Sequence, residues 1–176
     1  MEPKISAQLY QLDAALDLLI AKLLKERPEK LAHKPSPERW SVYEVMQHLM
    51  AVERASMRYL QKKLQDPKAL PSAGWGSGIR AALLRSRLRS SLKLKAPAAA
   101  STEVFEEVAS FAQLTGEWQA QRAELRDLLE KQPEVVFQKA AYKHPSAGRM
   151  TIENMLKFFL VHFQRHLKQI NENLKV

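Results

Sequence analysis

His162 and His166 stand one helical turn apart in HFQRHLKQI, near the end of the chain. Imidazoles at i and i+4 share one helix face, and two neutral nitrogen donors there can bind a divalent metal once a third ligand arrives from elsewhere in the fold. The residues around them predict that helix. Counting about 100° per residue from Ile152, the side chains of Met155, Leu156, Phe159, Phe163, Leu167, Ile170 and Leu174 gather in one apolar stripe, with His162 at about 280° and His166 at about 320° on its border. Both rings then point toward other helices. The same spacing also suits two ordinary half-buried histidines hydrogen-bonded to a neighbouring helix.

A third candidate ligand is His48 in VMQHLMAVE. Glu44, one turn earlier, can orient an imidazole N–H from behind the metal or can act in a capping box with Ser41; Trp40 before that cap suits a hydrophobic staple. Glu53 falls on the buried side of the same helix, as a functional carboxylate or as one satisfied by an arginine or a backbone group.

These residues need helices to position them, and the chain reads as almost entirely helical, with no alternating segment long enough to propose a sheet. The first helix is expected from about Ile5 to Arg27, ended by Pro28. The loop LAHKPSPERW follows, and the second helix runs from Ser41 to about Gln65. From Asp66 to Ala100 the prolines and glycines predict a connector holding one short basic helical piece near Ile79 to Leu88. A third helix is expected from Ser101 or Thr102 to about Gln132, with Gly116 as a soft point. After Pro133 the stretch VFQKAAYKHPSAGRM reads as irregular, and Thr151 caps the fourth helix. In a plain up-down-up-down bundle His48 and the HxxxH pair would lie at opposite ends. If the connector carries the chain back along the bundle, helix four is antiparallel to helix two and the three imidazoles meet. A helix of about 24 residues is roughly 36 Å long, a span that the connector covers easily.

The 176 residues suit a single four-helix bundle domain, all-α and covering positions 1–176. The absence of cysteine excludes disulfides, thiolate zinc sites and a cysteine nucleophile, and accords with a reducing, cytoplasmic setting. No stretch approaches the roughly 20 apolar residues of a membrane span, so no membrane partner is expected, and the N-terminus is already amphipathic rather than signal-like. The formal net charge is +9, and from Arg80 to Lys95 basic residues occur without an acidic one. That run can track phosphates, but it lacks interleaved aromatics or a recognition-helix motif and reads better as a solvated connector than as a nucleic-acid site.

The segments RWSVYEVMQHLMAVE and HPSAGRMTIENMLKFFLVHFQRHLKQI together resemble the DinB-like superfamily, specifically its DinB_2 type, over nearly the whole chain. The family includes bacillithiol S-transferases and, more distantly, a mycothiol-dependent maleylpyruvate isomerase. The resemblance implies a four-helix bundle with up-down-down-up topology and a three-histidine metal site at His48, His162 and His166, holding zinc or nickel. It also matches His144-Pro145 and Gly148 to the family's loop before the last helix, where a fixed turn accounts for the Pro and Gly. The expected activity is a metal-dependent thiol S-transferase or a related hydrolase. The basic connector, Arg149 and Arg165 would suit a small-molecule substrate that is anionic, such as a low-molecular-weight thiol. A non-catalytic, stress-associated bundle, dimeric and with the triad either vacant or holding a metal that only stabilises the fold, is the alternative.

Overall fold

The computed structural model describes residues 1–90, 105, 108 and 110–175. Helix α1 spans Pro3–Leu23. It stops short of the expected Arg27, and Pro28 opens a further short helix, α2 (Pro28–Ala32), with its ring at the first helical position, where no N–H partner is lost. Helix α3 (Val42–Leu64) begins at the expected capping box: Glu44 N–H donates to Ser41 Oγ and Ser41 N–H donates to Glu44 Oε2. Such a cap stabilises a helix by about 1 kcal/mol.

After a 3₁₀ turn at Pro67–Ala69, helix α4 (Trp75–Arg89) is longer than the expected Ile79–Leu88 piece. Gly76 and Gly78 lie in its first turn. Their cost of about 1 kcal/mol each against alanine is offset where Ser77, Ala81 and Leu88 are buried. The onset expected at Ser101 or Thr102 lies outside the described residues; the described helix α5 is Phe111–Glu130, capped by Ser110, whose extended backbone interrupts any longer helix and whose Oγ accepts from Gln113 N–H. The stretch expected to be irregular holds a 3₁₀ turn at Glu134–Gln138 and a hairpin, β1 (Tyr142–His144) against antiparallel β2 (Gly148–Met150). Gly148 has φ 71°, a left-handed value that glycine adopts without strain. Thr151 then caps α6 (Ile152–Asn173) through Asn154 N–H.

The chain direction of each long helix follows from which residues share a core. At one end Leu9 and Leu12 of α1 pack with Leu60 and Leu64 of α3, Leu125 and Leu129 of α5, and Met155 and Leu156 of α6. At the other end Leu19 and Leu23 pack with Val42 and Met46, Leu114 and Trp118, and Phe163 and Ile170. Thus α1 and α6 run one way and α3 and α5 the other, which is the up-down-down-up bundle. Helix α4 makes the return. It lies along α6, with Arg80 Nε donating to Ala147 O (3.0 Å), Arg85 to Asn154 Oδ1 (2.7 Å), and Arg165 Nη1 to Leu88 O and Ser90 O (3.0 Å each). Among the described residues no helix is long and apolar enough to cross a membrane.

Candidate metal centre

Because α3 enters the bundle at the end where α6 leaves it, His48 meets His162 and His166. His48 Nε2 is 3.4 Å from His162 Nε2, which is 3.1 Å from His166 Nε2, and one ligand nitrogen from each of the three rings falls within 4.8 Å of the others. Nitrogens each about 2.0–2.1 Å from one ion stand about 2.8–3.4 Å apart between octahedral and tetrahedral angles, and the two measured separations, 3.4 and 3.1 Å, fall in that window. The residues present therefore fit a divalent ion.

Burial sets the protonation state. His48 is buried and the other two rings are half-buried. Desolvation, followed by His166, His48, His144 and Arg165, pushes His162 well below the usual imidazole range. His166 is pushed down to about 4, again first by burial and then by His48, with Gln169 acting in the opposite sense and Arg165 lowering it further. Near neutral pH both rings are uncharged and keep lone pairs for a metal.

The tautomer of one ring is fixed. His166 Nδ1 lies 3.0 Å from Gln169 Oε1; an N–H there donates to the amide oxygen and leaves Nε2 as the ligand atom. Nothing in the sequence reading singled out Gln169, although it lies three residues beyond His166 on the same helix face. Trp40 was assigned to a staple, and the structure lays its indole against the site: 4.9 Å from the His48 ring and 6.3 Å from His166, nearly parallel to the latter. Phe105 meets Trp40 edge-on at 5.3 Å, and Phe158 stacks on His162 at 5.4 Å. Aromatic surface thus lines the triad. Asn173 Nδ2 donates to Trp40 O and Arg39 to Asn173 Oδ1, which ties the end of α6 to the entry of α3.

Glu44 does the capping, and its second oxygen pairs with Lys34 at 2.6 Å, so the bonds its carboxylate makes belong to the helix entry. Glu53 is satisfied by an arginine: Arg122 Nε and Nη2 donate at 2.9 and 2.7 Å, and Trp118 Nε1 adds a third bond at 2.9 Å. Arg165, a candidate carboxylate binder, spends Nη1 on the two carbonyls at the end of α4. Arg149 is exposed on the hairpin. His144 closes that hairpin, its Nδ1 accepting from the N–H groups of Ser146 (3.1 Å) and Ala147 (3.3 Å), and its ring meets Phe158 edge-on. Burial holds it below the usual imidazole range.

The sequence model of the DinB_2 family, of the DinB superfamily, matches residues 8–170. Over 144 residues the chain is 27% identical to the uncharacterized protein YuaE of Bacillus subtilis (strain 168), a match that spans 82% of this chain and 83% of YuaE. Its fold is similar to that of YfiT from Bacillus subtilis, with a TM-score of 0.61 and 16% identity, covering 98% of this chain and 87% of YfiT. YfiT is described as a probable metal-dependent hydrolase with an unusual four-helix bundle topology. At that identity the likeness establishes the fold.

Proposed function

The chain belongs to the DinB superfamily, and from that membership and the geometry of the triad we propose that it is a metal-dependent enzyme acting on a small molecule, with His48, His162 and His166 as ligands. The observation that carries the reading is the convergence of one nitrogen from each of three imidazoles, two of the pairs at metal-ligand separations. The proposed ion is zinc or nickel, and the proposed reaction is thiol S-transfer or a related hydrolysis. A divalent ion on three neutral nitrogens keeps coordination positions open and lowers the pKa of a thiol or water brought to it.

The chain's own residues supply the rest. Gln169 holds the His166 tautomer. Trp40 and Phe158 back the ligand rings, limiting the water around them and strengthening every polar interaction in the site. Arg165 fastens α4 to α6 beside the triad, and its positive charge favours an anionic substrate.

Elemental analysis of protein purified without a histidine tag or nickel resin tests the site. Wild type is expected to hold near-stoichiometric metal, lost in both His48→Ala and His162→Ala; wild type that stays empty after loading with zinc or nickel overturns the reading. A screen of low-molecular-weight thiols with the loaded protein then separates transfer from hydrolysis.

A further inference from the structure

Helix α4 is apolar on two opposite sides, the one facing the bundle and the one facing away from it. Its buried side, Ser77, Ala81 and Leu88, seats it on the bundle. On the opposite side, at i, i+4 and i+8, Trp75 is 97% exposed, Ile79 63% and Leu83 64%. Single exposed apolar residues are ordinary, but three in register form a continuous ridge about 12 Å long.

Arginines border this ridge on both sides. At about 100° per residue, Arg80 and Arg87 fall on one flank and Arg85 and Arg89 on the other. Arg80 and Arg85 donate to carbonyl or amide oxygens, and Arg85 also feels the carboxylate of Glu153, whereas Arg87 and Arg89 are exposed and, among the described residues, not within ion-pair distance of a carboxylate. The hairpin touching α4 adds Lys143 and Arg149, exposed and directly opposite one another.

We propose that α4 is a membrane-docking helix: its Trp75-Ile79-Leu83 ridge enters the headgroup region of an anionic bilayer while the flanking arginines bind the lipid phosphates. A tryptophan-bearing apolar stripe lined by cations is the chemistry of a helix lying in the plane of a bilayer. A second copy fits poorly, since two-fold pairing through the ridge would press the same arginine rows together. The expectation of no membrane partner rested on spans, and a surface-lying helix needs none.

The test is co-sedimentation of the full chain at low salt with vesicles of phosphatidylcholine alone or mixed with phosphatidylglycerol, after gel filtration of each protein. Wild type is expected to bind the mixed vesicles, to leave the neutral ones unbound, and to dissociate as salt rises. The triple variant W75S/I79S/L83S should lose binding. R87S/R89S should weaken it roughly thirtyfold. These positions are exposed, so both variants keep the wild-type melting transition. Failure of wild type to bind anionic vesicles overturns the proposal, as does binding that the triple variant retains. A wild-type dimer that the triple variant converts to monomer assigns the ridge to a second copy and overturns it equally.

Discussion

Gln169 accepts a hydrogen bond from His166 across one turn of α6, 3.0 Å from Nδ1, and so decides which nitrogen of that imidazole faces His162 and His48. Partners of this kind typically contribute 10- to 100-fold to metal affinity. Gln169→Leu is therefore expected to weaken zinc binding by about that factor while leaving the fold intact, because Gln169 is half-buried at the bundle's margin. Competition against a chelating dye measures it. An unchanged affinity would mean that the packing of the ring alone sets the tautomer.

The depressed histidines make stability depend on pH in the metal-free protein. His166 titrates at about 4 in the fold and near 6.5 when unfolded, and His162 is displaced in the same direction. Between those values the unfolded chain binds protons that the native one refuses, so stability rises with pH through that window and levels off above it. Acidification from pH 7 to 4.5 should cost on the order of 2–3 kcal/mol through His166. Thermal melts in chelator across this range should show the loss, and His166→Gln should lessen it while the share of His162 remains; an equally steep dependence in the variant assigns the effect to other groups.

Gly116 lies inside α5 on its exposed side, and a Cβ built there meets nothing within 4 Å. The backbone is helical, so alanine fits without strain. Gly116→Ala is expected to stabilise the protein by about 0.5–1 kcal/mol, read as a shift of the urea midpoint at constant slope. A loss of stability would mean that the glycine's freedom is used, as at a flexing point of the helix.

What the sequence made legible was what periodicity encodes. The stripe of α6 and the HxxxH spacing located His162 and His166, and the Ser41–Glu44 box marked the start of α3. The topology was legible only through chemistry: His48 reaches the other two rings in one chain order and not in the other. Strands of three residues such as Tyr142–His144 are too short to alternate visibly, and the five-residue α2 too short to show a helical period. Glycines concealed the first turn of α4, where tertiary burial overrides propensity. Trp40 packs against the core that holds Val45, as a staple would, but its contacts with His48 and His166 join segments distant in sequence, which no local pattern records.

Glu53 and Arg122 form a buried ion pair, with side chains only 6% and 4% exposed. Trp118 Nε1 shares Glu53 Oε2, and Asp13 stands 3.9 Å from Arg122 Nη1, which otherwise has no hydrogen-bond partner. Removing Glu53 leaves the buried Arg122 with only the distant, partly exposed Asp13 to offset its charge, whereas replacing both with apolar groups removes the desolvation cost together with the attraction. Glu53→Ala is thus expected to destabilise by about 3–5 kcal/mol, and Glu53→Met combined with Arg122→Met by considerably less. Denaturant unfolding of the singles and the double forms a cycle that isolates the coupling. If the double variant is as unstable as Glu53→Ala, the contribution comes instead from the Trp118 bond and the packing of the two stems, and the pair is a spacer between α3 and α5 rather than a charge device.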